Sequence, residues 1–440
     1  MRFPRLSLLF GCTLGAASAL AAVIGINPPA NPLTAQRIAA LPPAERPAWQ
    51  QYLERSQRQL KESQRLYIEE LRHAGSVKPL AVIPPVTPEG GNANSVPTRK
   101  DAAWYSTPEA ARIGDIVLSY QTPEGGWSKN VDMSKEPRQP GAPYYSWADR
   151  TARLVIPGDF ALVDNVAWKF VSTIDNDATN TELHYLAKVG LALGPDAGAK
   201  YRAGLLHGID YLLGMQYPNG GWPQVWPLAG GYHDGITYND DAMIQTVELL
   251  DDVAHGQNEF AYVPAATRER ARVAVAHGIE CILKTQIIVD GKPTVWAQQY
   301  DPLTLKPASA RDYEMPALSS SESSNILLYL MELPRPTPQE VAAVHGAAAW
   351  FKKTAIYGQA FSRNRDGRAL VPTPGAGPIW ARYYQIGTDM PLFGDRDQTI
   401  HDKVTELSIE RQNGYAWYRT DSQKALDRYA EWSASHPLAK

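Results

Sequence analysis

The sequence predicts an all-α protein, an array of antiparallel helix pairs whose long loops line a cleft, and three observations carry that prediction. First, Thr179–Gly194, Gly198–Gln216, Asn239–His255, Ala265–Gln286 and Gln339–Tyr357 place apolar residues at i, i+3/i+4 and i+7, the period of a helix with one buried face. In one of them Tyr201, Leu205, Ile209, Leu212 and Leu213 share a face. Second, Leu118-Ser-Tyr-Gln121-Thr-Pro-Glu-Gly125-Gly126-Trp127 recurs as Leu213-Gly-Met-Gln216-Tyr-Pro-Asn-Gly220-Gly221-Trp222, and a degenerate copy runs from Leu283-Lys-Thr-Gln286 to Trp296. Helix pairs repeating at roughly 70–95 residues stack into a closed or nearly closed ring, with every Gly-Gly-Trp loop emerging on one face. Third, the connections are longer than ordinary connectors and rich in Gly, Pro and Trp, and such loops tend to carry function.

The elements follow in order. Met1-Arg2-Phe3-Pro4-Arg5 and the apolar run Leu6 to Ala22, with small residues at Ala17-Ser18-Ala19 and Leu20-Ala21-Ala22, read as a secretory signal peptide over residues 1–22. The run is too short and too rich in Ala and Gly for a membrane anchor, and no other stretch is long and apolar enough to span a bilayer. Leu9-Phe10-Gly11-Cys12 faintly resembles a lipoprotein box, but Phe10 is bulky and little precedes it. The expected location is therefore secreted or periplasmic. Of the two cysteines, Cys12 leaves with the signal, so Cys281 alone cannot form an intrachain disulfide. Residues 23–98 form an extension: a Pro/Ala-rich stretch, a polar helix over 47–74 with a thin stripe of Tyr52, Leu60, Tyr67 and Leu71, and a linker over 76–98. The extension is expected to lie across a main domain of residues 99–440.

Composition narrows the function. A net charge of −3 with 20% charged residues lacks the concentrated Lys/Arg surface a general nucleic-acid binder needs. The 12 Trp and 22 Tyr against 8 Phe favour aromatics with a polar edge, suited to wet sugar clefts as well as to cores.

Four clusters fall in loops or at helix starts. Asp175-Asn176-Asp177 precedes a helix, where Asp177 or Thr179 offers an N-cap, yet two carboxylates and an amide exceed what capping requires. Asn239-Asp240-Asp241 places two aspartates side by side. These repel unless a cation stands near, and hard oxygen donors of this kind suit Ca²⁺ without forming an EF-hand loop. Arg311-Asp312-Tyr313-Glu314 sets an arginine beside acids. Trp380-Ala-Arg382-Tyr383-Tyr384, followed by Asp395-Arg396-Asp397, supplies two further arginines, which pair bidentately with carboxylates. Together these suit an acidic polysaccharide, with Trp127, Trp222 and Tyr313 offered as substrate-facing aromatics. No Ser-His-Asp order, P-loop or dinucleotide glycine pattern is evident.

From about Trp104 to Arg411 the chain resembles family 10 pectate lyases. The matching stretches are WYSTPEAARIGDIVLSYQTPEGGWSKNVDM, TIDNDATNTELHYLA, GIDYLLGMQYPNGGWPQVWP, GITYNDDAM, RDYEMPALSSSES and IWARYYQIGTDMPLFGDRD. The resemblance implies an (α/α)₃ toroid and Ca²⁺-dependent β-elimination of polygalacturonate to 4,5-unsaturated products; separately, the chain is expected to be a monomer. It implies Arg311 as the catalytic arginine and base, and Asp175 as the essential aspartate, with Asp177 the neighbouring alternative. It further implies Asp240 and Asp241 for calcium, and Arg396 and Arg382 for substrate. Ser128 stands where the family usually has Pro, and Trp296-Ala-Gln-Gln-Tyr300 lacks the Cys and His commoner at its second and fifth positions. Three rivals remain: a terpene or squalene cyclase, which shares Gln-x₃-Gly-x-Trp repeats, a two-carboxylate hydrolase on the same architecture, and a non-catalytic binding relative.

Overall fold

The structure, a computed structural model, describes residues 22–76, 84–87, 91–145, 172–365 and 367–438. The expected signal peptide, apart from its last residue, and part of the expected linker lie outside the described residues.

Helix α1 (Ala35–Ala39) is followed by α2 (Arg46–His73), close to the helix expected over 47–74. The α2 stripe that becomes buried is Trp49, Tyr52, Ser56, Ser63, Tyr67 and Leu71, with Leu60 only half-buried. It docks through Tyr52, whose hydroxyl donates to the Met215 carbonyl at 2.7 Å, and through Trp49, whose ring packs tilted at 41° against Tyr217 with centroids 5.2 Å apart.

The main body is two rows of helices. The outer row comprises α3 (Pro108–Ser119), α5 (Ala199–Met215), α7 (Ala265–Thr285) and α9 (Pro338–Thr354). The inner row comprises α4 (Asn180–Ala192), α6 (Ala242–His255) and α8 (Ser320–Glu332). Neighbours touch within each row, and the hairpin pairs α4/α5, α6/α7 and α8/α9 touch across it. This is the helical toroid expected from the repeat. Local chemistry sets the helix ends: Thr107 caps α3 ahead of Pro108, and Thr337 and Glu340 form a capping box ahead of α9. Helix α8 escaped the periodicity reading because it is buried nearly all round, its first turn by Ser320, Glu322, Ser323 and Ser324, so it has no apolar stripe. Two short helices close the chain, α10 (Ile409–Gly414) and α11 (Ser422–Trp432), the latter against α8 and α9.

The repeat has a physical purpose. The Gln121 amide donates to Gly125 O at 2.7 Å and to Gly204 O on α5 at 2.9 Å. Gln216 does the same with Gly220 O and Ala274 O on α7, and Gln286 with Thr294 O and Ala343 O on α9. Each glutamine therefore ties the end of one outer helix to the middle of the next. The indole N–H groups of Trp127, Trp222 and Trp296 return to carbonyls of the helix just left, at Val117, Leu212 and Ile282.

The long loops carry short strands. β1 (Gly25–Ile26), β2 (Leu318–Ser319), β3 (Tyr383–Tyr384), β4 (Pro391–Gly394) and β5 (Thr399–His401) form an antiparallel sheet in the order β1-β5-β4-β3-β2. The extension thus supplies an edge strand to a sheet built from the last third of the chain. Among the described residues no helix is long and apolar enough to cross a membrane.

Candidate active site

The first aspartate cluster folds as a run of left-handed residues: Asn176, Asp177 and Thr179 have φ of 52°, 60° and 64°. Asn and Asp tolerate this region; the β-branched Thr179 does not do so readily, and it is held there by its hydroxyl. That hydroxyl donates to Thr173 O at 2.8 Å and accepts from Trp127 N at 3.0 Å. Neither side chain offered as an N-cap serves as one, since Thr179 makes no cap bond and Asp177 accepts from Gln245 at 2.7 Å. The second cluster repeats the device, with Asp240 and Asp241 at φ of 48° and 61°, and the helix expected from Asn239 begins only at Ala242.

These turns aim Asp175 and Asp240 at one another across a single amide. Asn239 Nδ2 donates to Asp175 Oδ1 and to Asp240 Oδ2, each at 3.0 Å. Lys129 Nζ forms an ion pair with the other Asp175 oxygen. Asn239 Oδ1 accepts from Gln298 and, at 3.4 Å, from Arg382 Nη2. Gln298 leads on to Glu314 at 3.3 Å, and Glu314 takes the Arg311 guanidinium through Nε at 2.9 Å, the Arg311 amide at 3.0 Å and the Tyr415 hydroxyl at 2.7 Å. One network therefore joins all four sequence clusters, the last through Arg382, to the loop after the first Gly-Gly-Trp.

Burial divides this network. The side chains of Asp175, Glu314, Glu322 and Arg382 are 3, 2, 2 and 6% exposed, whereas Lys129, Arg311 and Asp240 are 28, 33 and 41% exposed. A ligand would meet those last three and lie over the rest. Their charges respond to one another. Burial opposes ionisation of Asp175, but Lys129 and Arg311 outweigh it and hold the carboxyl below its usual range. Asp240 moves upward, through burial and the nearby charges of Asp175 and Glu322. For Glu314 burial is again outweighed, by Arg311, and its carboxyl falls to about 2. The reverse of that pair holds Arg311 well above its ordinary value, despite the burial that works against a charged guanidinium.

Not every expected residue joins the site. Trp127 and Trp222 are fully buried with their indole N–H groups spent on helix carbonyls, so they offer no face to a sugar and are corrected to core pins. Tyr313 is 3% exposed and lies under the guanidiniums of Arg311, Arg396 and Arg411, at 5.0, 5.3 and 4.4 Å, a platform for arginines and not for a sugar ring. Arg382 is buried against Glu322 and braces the site from below. Asp177 turns from Asp175 toward a separate cavity of about 600 Å³ lined by Gln245, Glu248 and Glu332. Asp241 is half-buried and turns to Asn325, its carboxyl raised to about 7 by burial and by Glu322 and Asp240. Arg396 is one-quarter exposed and paired with Glu410 at 3.1 Å. Lys129, Asn239, Gln298 and Glu314 lay within or beside the quoted motifs without receiving a role. The Lys129 signal was its place in the Gly-Gly-Trp loop, one strand from Asp175.

Asp175 and Asp240 suit a hard cation: two carboxylates flank one amide, and the exposed one is strained by like charge. Among the described residues no group of three or more His, Cys, Asp or Glu side chains is arranged to hold a metal ion. The chain would therefore provide two carboxylates, the remaining positions falling to water or ligand oxygens.

Residues 121–426 match the family model described as pectic acid lyase. Two solved structures align over 77% of this chain at 30% identity with a TM-score of 0.63. One is a family 10 polysaccharide lyase from Cellvibrio cellulosa, 97% of which is covered, and the other a mutant of a family 10 polysaccharide lyase from the same organism in complex with trigalacturonic acid, 98% of which is covered. No curated protein matches the chain.

Proposed function

Because the chain belongs to the pectic acid lyase family and is a polysaccharide lyase, we propose that it cleaves polygalacturonate by calcium-dependent β-elimination, with Arg311 as the base. The observation that carries the proposal is the pairing of Asp175 and Asp240 around the Asn239 amide, beside a partly exposed Arg311. A similar lyase bound to trigalacturonic acid supports a galacturonan as the substrate class. The basic start and apolar run of residues 1–22 support export.

In galacturonate the proton on C5 is weakly acidic, because its removal puts charge beside a carboxylate. A Ca²⁺ held by Asp175 and Asp240 would neutralise that carboxylate and stabilise the enolate-like transition state. Asn239 fixes both aspartates, and Lys129 keeps Asp175 ionised. Arg311 takes the proton from C5. The electron pair left behind forms the C4–C5 double bond as the C4–O bond breaks; the departing oxygen takes a proton from solvent and Arg311 returns the C5 proton to solvent, so no water is added to the product. A guanidinium normally stays protonated below about pH 12, so the reaction draws on a small deprotonated fraction and runs faster in alkali. The ion pair with Glu314 must loosen for that fraction to form. Arg396, at the rim, is assigned to a neighbouring uronate.

The test is to incubate the protein with polygalacturonate at alkaline pH, with calcium or with chelator, and follow ultraviolet absorbance of the new double bond. Absorbance should grow with calcium and stop on chelation. Reducing ends without absorbance would indicate hydrolysis, neither signal a binding module, and activity indifferent to chelator would remove calcium from the account.

A further inference from the structure

We propose that Asn27, in the N-terminal extension and outside the residues that match the family model, is a positioning residue for Arg311. The inference rests on the reading of Arg311 given above.

Asn27 follows β1 directly and is fully buried, its backbone N–H bonded to Gln398 O at 2.8 Å. Its side chain reaches into the turn that carries Arg311. The amide nitrogen donates to the carbonyls of Asp312 at 2.7 Å, Arg311 at 3.0 Å and Glu314 at 3.3 Å. An amide has two hydrogens, so the longest of these contacts is shared. The amide oxygen accepts from the Ser309 hydroxyl at 2.7 Å, which fixes which way the amide faces. The turn makes few backbone bonds of its own, Glu314 N to Arg311 O and Ala310 N to Glu314 O. The Arg311 and Glu314 carbonyls are thus shared between these bonds and the amide, while the Asp312 carbonyl, which holds the shortest contact, takes its donor from a side chain supplied from the other end of the sequence.

The opposite side of the turn is closed by β4. A Cβ on Gly394 would lie 2.4 Å from Tyr313 O, so the backbone there is in direct contact. Asn27 and Gly394 clamp the turn between them, leaving the Arg311 backbone little freedom. Two more contacts tie the same strap to neighbouring loops: Leu33 N to Asp234 Oδ2 at 2.9 Å, and the ion pair of Arg37 with Asp301. Removing the Asn27 amide leaves the buried Asp312 carbonyl without its donor and the Arg311 and Glu314 carbonyls with one bond fewer, and the turn should shift to find water. A shift of about 1 Å in a reacting group can cost about 100-fold in rate.

The experiment compares wild type with Asn27→Ala and Ser309→Ala in three readouts: kcat and KM on polygalacturonate, melting temperature, and amide hydrogen exchange over residues 309–314. For Asn27→Ala, kcat should fall about 10- to 100-fold with KM within about twofold, and exchange over 309–314 should quicken at least about tenfold. Ser309→Ala, which removes only the bond orienting the amide, should show the same pattern more weakly and serves alone if Asn27→Ala does not fold. A lower melting temperature with unchanged kcat in the folded protein would make Asn27 merely structural and overturn the proposal. Unchanged exchange over 309–314 would overturn it whatever the activity. If wild type itself shows no lyase activity, the functional reading fails, and the exchange result still decides whether Asn27 holds the turn.

Discussion

Arg311 and Glu314 set opposite demands on one contact. The carboxylate, fixed by five donors, orients the guanidinium but also holds its proton on. Glu314→Gln keeps much of the shape and removes the charge, so it should lower the Arg311 pKa. If Arg311 is the base, the alkaline limb of the kcat–pH profile should move down by about one pH unit, since the deprotonated fraction at each pH rises. A uniform fall at every pH, with no displacement of the limb, would make Arg311 a charged stabiliser only. At this scale the sequence drew attention to charged groups and passed over their supports. Asp175, Asp240 and Arg311 stood out because they lie in acid- and arginine-bearing stretches that match the family motifs, and the resemblance gave them their roles. Asn239 did not, because an amide that bridges two distant carboxylates looks like any loop asparagine. Trp127, Trp222 and Tyr313 misled because sequence reveals that an aromatic lies near a cleft but not which of its faces is already covered.

The helix-and-loop repeat was legible because it serves the ring. Each Gln ties its helix to the next and each Trp pins its loop to the helix just left, and the first glycine of both Gly-Gly-Trp loops, Gly125 and Gly220, is required for a geometric reason. Gly220 has φ of +92°, and a Cβ there would sit 2.0 Å from His277 O on the next outer helix. Gly220→Ala should therefore cost about 3 kcal/mol or more in a denaturant titration, through strain and the forced separation of α5 and α7. A loss under about 1 kcal/mol would mean that the loop does not fix the helix spacing. The element hardest to foresee was the extension. Its helix could be read from the spacing of Tyr52, Tyr67 and Leu71, but β1 and Asn27 act over more than 280 residues of sequence and leave no period to read. Helix α8 was hidden for the opposite reason, burial on all sides.

Across the whole molecule, one buried cluster runs from Leu33 to Trp432, so the extension and the toroid share a core. A net charge of −3 argued against a basic polyanion binder, yet the site holds Lys129 and Arg311 at partly exposed positions over the buried acids Asp175 and Glu314 that they pair with. A local field is enough for an anionic chain when a cation and a few arginines provide it. The central claim is that this cleft eliminates across C4–C5 with Arg311 as the reacting group. Its most direct test is to measure, on wild type and Arg311→Ala side by side, double-bond absorbance on polygalacturonate and oligogalacturonate affinity by calorimetry. The account predicts a rate lower by at least about 1,000-fold with Kd within about threefold, the mark of an interaction made in the transition state. A variant that keeps a tenth of the rate, or that loses binding as much as turnover, would contradict it.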